Sequence, residues 1–264
     1  MKRKLKKIFS RKSISHLKYI PIIILKIKNW IPFLLNYIGF KEGDIGKEYQ
    51  FRNGLKFRIR KKFDVALIFL AFIRKDYGKI TKNSIVVDIG ANIGTFSIFA
   101  ANSVGNVKVF AYEPMEETYL ALKEHVKINN LQQKITPYNL GISAKKEKRK
   151  LYLADQAISH ALYQKSEDQN YIIINCISIK DIFESNNLEK IDVLKIDCEG
   201  AEYEILLNTP IEFLKRINHI RGEFEINKKY KNFDISYLKM FLKENGFKII
   251  KEKRKIIWFQ NVMN

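Results

Sequence analysis

Asp88, Gly90, Asn92 and Gly94 occupy alternate positions directly after the apolar, β-branched run Ile85-Val86-Val87. A second acid, Glu113, ends the next such run, Val109-Phe110-Ala111-Tyr112, nineteen residues after Gly94. A third group lies in Leu194-Lys195-Ile196-Asp197-Cys198-Glu199-Gly200-Ala201-Glu202, followed by Glu223 and Glu225 in Arg221-Gly222-Glu223-Phe224-Glu225. Each group suits a different task. A glycine-punctuated turn between a strand and a helix lets a polar ligand approach backbone N–H groups. An acid closing the next strand can accept hydrogen bonds from sugar hydroxyls. Carboxylates converging from neighbouring strands can take a proton, orient a substrate or ligate a divalent cation.

A dinucleotide turn reads Gly-x-Gly-x-x-Gly. This one reads Asp88-x-Gly90-x-Asn92-x-Gly94, with the acid before the first glycine. That spacing is typical of S-adenosylmethionine sites. Backbone groups of the turn would hold the amino-acid end, Asp88 would supply negative potential, and Gly90 and Gly94 would permit close approach because they lack Cβ. Glu113 would take the ribose hydroxyls. Asn139-Leu140-Gly141-Ile142, after the third strand, lies where adenine is usually gripped. The alternatives are a nicotinamide enzyme or a glycine turn with no ligand, and a plain loop at 139–142.

Lys195 breaks the apolar pattern that a central parallel strand requires. It shares a strand face with Asp197. A buried ammonium needs a partner, and Asp197 or a neighbouring acid is expected to serve. Three accounts of Asp197, Glu199, Glu202 and Glu223 stay open. They could be structural, with Glu199 and Glu202 favoured at a helix N-terminus. They could bind a divalent cation, with Asp197, Glu199 and Glu223 as ligands. Or one could be a general base, since methyl transfer to an alcohol needs little from the protein beyond alignment and proton removal. His160, in Ser159-His160-Ala161, is an alternative base. His125 and His219 read as structural.

The elements that must position these groups alternate. Strands fit at 84–89, 107–112, 134–139, 191–197, 218–224, 247–252 and 256–260, and helices at 94–103, 115–129, 178–185, 202–215 and 234–245. This predicts an α/β, doubly wound, mostly parallel sheet. Residues 143–175 interrupt the alternation with a charge run and β-like pieces at 149–153 and 171–177. Before the sheet, Asn53-Gly54 predicts a hairpin over 48–60, and an apolar helix follows from about Asp64 to Lys75.

The chain of 264 residues has a net charge of +20, and half of that excess, ten basic residues with no acid, lies in residues 1–40. Residues 16–40 are also apolar, but Lys26 and Lys28 interrupt the run, and Pro21 and Pro32 are expected to disturb a helix. A membrane span needs about 20 uninterrupted apolar residues. Two readings remain: an interfacial segment on anionic lipid, or a helix packed on the following domain. The expected organisation is a basic amphipathic extension, residues 1–45, and one catalytic domain, residues 46–264. Cys176 and Cys198 have no metal or disulfide spacing and read as reduced thiols of a cytoplasmic protein. No secretory signal is read at the start.

Residues 48–262 resemble the FkbM family of S-adenosylmethionine-dependent methyltransferases. The likeness rests on Val87-Asp88-Ile89-Gly90-Ala91-Asn92-Ile93-Gly94, Glu113-Pro114, the block Leu194 to Glu202, Gly222-Glu223-Phe224, Gly246-Phe247 and Trp258-Phe259-Gln260-Asn261. It implies a Rossmann-like seven-stranded methyltransferase sheet with an antiparallel last strand, and O-methylation of sugars or secondary metabolites. Many members carry histidine two positions after the strand-five acid, where this chain has Glu225. The expected acceptor is a hydroxyl on a sugar of a surface polysaccharide or glycolipid, with the basic extension on the inner membrane face. Nucleic-acid methylation is the alternative that the charge permits, without an Asn-Pro-Pro-aromatic motif or a Pro-Cys nucleophile to support it. A non-catalytic S-adenosylmethionine-binding protein is the other.

Overall fold

The structure is a computed structural model and describes residues 17–39, 45–103, 105–153, 161–162, 170–224 and 234–263. The first strands, β1 (Glu48–Gln50) and β2 (Lys56–Arg58), pair antiparallel as the hairpin around Asn53-Gly54. The alternating region supplies β3 (Ile85–Ile89), β4 (Lys108–Tyr112) and β5 (Ile135–Tyr138). The interrupting region holds β6 (Gly141–Ile142), β7 (Glu147–Tyr152) and β8 (Tyr171–Ile177), a separate sheet in the order β6-β8-β7. Then come β9 (Val193–Ile196), β10 (His219–Glu223), β11 (Phe247–Lys253) and β12 (Ile256–Asn261).

The central sheet has seven strands in the order β11-β12-β10-β9-β3-β4-β5. Neighbours from β10 through β5 run parallel, and β12 is antiparallel to both β10 and β11. The order reverses between β3 and β9. The carboxyl ends of those two strands therefore open a crevice, the usual ligand position in such sheets.

Side chains alternate across the sheet. Val86, Val109 and Val193 enter one core cluster, whereas Val87, Leu194 and Ile196 enter the other. Helices 95–101 and 116–128 cover the first face; helices 179–185, 202–207 and 235–244 cover the second.

The N-terminal segment belongs to the first face. Ile23, Ile27 and Phe33 are buried with Tyr49, Phe57, Phe69 and Phe72. Each such burial stabilises by about 1.5–3 kcal/mol, so residues 17–39 are part of the fold. Polar ties agree: Asn29 Nδ2 donates to the Glu48 carbonyl at 2.9 Å, and its Oδ1 accepts from Gln50 N at 3.0 Å. Pro21 and Pro32 disturb nothing. They stand in the first turns of helices Ile20–Lys26 and Trp30–Tyr37, where an amide N–H has no intrahelical partner to lose.

Two other expectations change. The helix after the hairpin is α-helical only over Asp64–Ile68, then becomes a π-helix over Phe69–Arg74, ended by Lys75 at φ 54°. The span 202–215 is two helices, Glu202–Leu207 and Ile211–Leu214, because Pro210 cannot continue the first.

Candidate active site

The turn after β3 is built by the protein's own packing. Gly90 and Gly94 have φ of 71° and 84°. A Cβ on Gly90 would lie 2.0 Å from the Asp197 carbonyl oxygen, and one on Gly94 would lie 2.4 Å from Leu122 Cδ1. The missing side chains thus admit a neighbouring strand end and a helix. Gly90 N and Ala91 N both donate to the Tyr112 carbonyl at 3.0 Å, fastening the turn to β4. Buried His125 also supports it: Nδ1–H donates to the Ile93 carbonyl at 2.8 Å, and Nε2 accepts from Arg58 N at 3.0 Å, linking turn and hairpin.

Asp88 is fully buried beneath the turn. It stands opposite Lys195 in the β3–β9 register, and the two ion-pair at 3.0 Å. Ser97 Oγ donates to the other Asp88 oxygen at 2.6 Å. Lys195 Nζ also donates to the carbonyls of Gly90 at 2.7 Å and Ile89 at 3.2 Å. Its main partner is therefore Asp88, across the sheet, and its ammonium clamps the turn. Burial works against this charge, but the Asp88 and Asp197 carboxylates outweigh it and hold the lysine above its ordinary pKa.

Glu113, at the end of β4, accepts from Asn92 N at 2.8 Å, Met115 N at 3.0 Å and Thr118 Oγ1 at 2.8 Å. Burial raises its pKa against the pull of these donors. Asn139 Nδ2 donates to the carbonyls of Glu113 and Pro114, each at 3.0 Å, so this residue ties the loop after β5 to the end of β4.

Beyond β9 the backbone turns through Glu199 at φ 55° and Gly200 at φ 112°. The Glu202 carboxylate accepts from Cys198 N at 2.7 Å and Gly200 N at 2.8 Å, stapling that turn. Burial pushes its pKa up to about 7 although these N–H groups pull the other way.

A polar row crosses the sheet in register: Asp88 on β3, Lys195 on β9, Arg221 on β10, Trp258 on β12 and Lys251 on β11. The loop 76–79 lies on it. Arg221 Nη1 donates to the carbonyls of Tyr77 at 2.7 Å and Lys79 at 2.8 Å, and the guanidinium lies 5.1 Å from the Trp258 ring centre. Tyr77 Oη donates to Asp197 Oδ2 at 2.7 Å. Burial first, then Asp197, raises the phenol's pKa well above the ordinary value.

These elements enclose a cavity of about 360 Å³ at the crevice. Gly90, Asn92, Glu113, Gly141, Lys195, Asp197, Glu199 and Glu223 all line it; Asp88, Gly94, Asn139 and Glu202 lie outside the lining. Among the contributors with no motif to announce them are Tyr77, and Leu70 and Ala71 from the π-helix. Tyr77 follows a helix end with no informative spacing, and the apolar helix reads only as core. His160 and Glu225 lie outside the described residues. Among the described residues no group of three His, Cys, Asp or Glu is arranged to hold a metal ion, and no helix is long and apolar enough to cross a membrane. Both cysteines are free thiols.

The strand order, the reversed β12 and the cavity at the β3–β9 crevice define the class of fold: a Rossmann-like seven-stranded α/β sheet. The model of the methyltransferase FkbM domain matches residues 88–249. Methyltransferase sdnD of Sordaria araneosa is 24% identical over 220 residues, covering 68% of this chain and 85% of that protein. Hexuronic acid methyltransferase AglP of Haloferax volcanii is 26% identical over 125 residues, covering 47% of this chain and 49% of that one. The crystal structure of methyltransferase FkbM from Methylobacillus flagellatus covers 75% of this chain and 54% of that chain, at 12% identity and a TM-score of 0.46. The chain belongs to the FkbM methyltransferase family. It is an S-adenosylmethionine-dependent methyltransferase.

Proposed function

We propose that this enzyme methylates a hydroxyl of a sugar in a surface polysaccharide or glycolipid. The observation that carries the reading is the single cavity in which the glycine turn, Glu113 and the strand-end acids Asp197 and Glu223 meet. The similarity to a hexuronic acid methyltransferase supports a carbohydrate acceptor.

The residues present fit the donor. Glu113 offers carboxylate lone pairs for ribose hydroxyls, and the backbone around Gly90 and Asn92 faces the cavity for the amino-acid end. Leu140, Gly141 and Ile142 line the same cavity, next to the turn and Glu113, and suit an adenine. S-adenosylmethionine, when bound, supplies a methyl group already activated on a sulfonium. What is left to the chain is alignment and proton removal. Asp197 is the base: its carboxylate takes the proton of the acceptor hydroxyl. Tyr77 fixes that carboxylate through its hydrogen bond. Glu199 and Glu223 orient the acceptor by accepting from its other hydroxyls. Lys195 acts through the turn that it clamps. Leu67, Leu70 and Ala71 give the cavity an apolar wall.

The test is incubation of the purified chain with methyl-labelled S-adenosylmethionine and uronic-acid-containing oligosaccharides, with mass spectrometry of the product. Label entering a sugar hydroxyl is the expected result. Label entering RNA but no carbohydrate would replace this reading with nucleic-acid methylation. Donor binding with no transfer to any acceptor would leave a binding protein.

A further inference from the structure

The two N-terminal helices face two ways. Their inner sides carry Ile23, Ile27 and Phe33 into the core. On the outer side Leu17, Pro21 and Leu25 recur four residues apart, all exposed, with Leu17 at 54% and Leu25 at 72%. The second helix and its end expose Ile31 at 55% and Ile38 at 38%. Lys18 and Lys28 are exposed beside them. One exposed leucine is ordinary. Leu25 and Ile31 on two short helices, with Leu17 and Ile38 flanking them, in a stretch of forty residues with ten basic groups and no acid, form a pattern.

Three partners can be weighed by chemistry. A second copy would set ten positive charges against ten more. A nucleic acid would use the charges and leave the leucines and isoleucines idle. An anionic lipid surface uses both, with the ammonium groups at the phosphates and the aliphatics at the acyl boundary. We propose that the outer faces of helices 20–26 and 30–37 dock this enzyme on an anionic lipid surface. The surface would present a lipid-linked acceptor; that part alone rests on the carbohydrate reading, and docking does not.

The test is vesicle co-sedimentation of the full chain, using phosphatidylcholine alone and phosphatidylcholine with phosphatidylglycerol. Binding is expected only with the anionic lipid and should weaken as salt rises. Leu25→Glu with Ile31→Glu should lower partitioning by at least about tenfold. Lys18→Glu with Lys28→Glu, at two exposed positions, should also lower it. Both variants should keep wild-type circular dichroism and wild-type calorimetric affinity for S-adenosylmethionine. No binding by the wild type, or equal binding by both variants, overturns the proposal. So does a dimer, seen by light scattering, that the Leu25/Ile31 variant dissociates while vesicle binding stays absent. Loss of donor affinity with docking intact would count against the proposed function alone.

Discussion

The phenol of Tyr77 and the carboxylate of Asp197, 2.7 Å apart, join a loop that precedes the sheet to the end of its central strand. Arg221 and Trp258 hold that loop in place from two further strands. Tyr77→Phe removes the donor and leaves the ring. Turnover should fall by roughly ten- to a hundredfold, and Asp197→Asn should cost at least as much. Calorimetry should find donor affinity within about threefold of wild type for both, because neither side chain is assigned to the donor. Wild-type turnover of Asp197→Asn would remove it from catalysis.

Glu113 has two duties in the proposed site, donor contact and closure of the turn through Asn92 N and Met115 N. Glu113→Gln keeps the shape and one acceptor oxygen; Glu113→Ala keeps neither. Donor affinity should fall in the order wild type, Gln, Ala, with the Ala variant weaker by roughly a hundredfold. Unchanged affinity of the Ala variant would refute the ribose assignment.

Lys195→Met would leave the Asp88 carboxylate buried without its cation. Breaking such a pair costs about 3–5 kcal/mol. Urea unfolding should show that loss, and Asp88→Asn in the same chain should restore most of it, because the pair then goes as a unit. A double variant no more stable than Lys195→Met alone would show that the two residues are not coupled.

Glu202 makes stability depend on pH. Its folded pKa, about 7, exceeds the ordinary 4.5. Below 4.5 both folded and unfolded states hold the proton, and this group contributes nothing to the pH dependence. Between those values the folded state keeps the proton and the unfolded state does not, so stability falls as pH rises. The loss is complete above about 7 and amounts to about 3 kcal/mol. Glu202→Gln should flatten that slope in urea titrations at about pH 5 and about pH 8. A slope equal to wild type would assign the titration elsewhere.

The parts legible from residue order alone were those with a local signature. Strand–turn–helix alternation marked β3 and β4, and the Asn53-Gly54 turn marked the hairpin. The lysine in β9 stood out as a violation, but its partner did not. Asp88 and Lys195 meet through sheet register, 107 positions apart in the chain, and no periodicity encodes register between distant strands. The reason for Gly90 was hidden likewise, since the atom that it admits belongs to Asp197. Tyr77 reaches the cavity because Phe69–Arg74 winds as a π-helix and Arg221 captures the loop behind it. Neither event leaves a pattern in an apolar helical stretch. Pro21 and Pro32 read as helix breaks, but they stand in first turns, because nothing local in an apolar run says where a helix begins.

Lys26 Nζ reaches the Phe72 carbonyl at 3.0 Å and Tyr37 stacks on Phe69 at 4.2 Å, while the intervening Leu70 and Ala71 form cavity wall. Helices 20–26 and 30–37 are therefore a keystone of that wall. A cut at residue 40 would remove that keystone and topple the cavity wall that it braces.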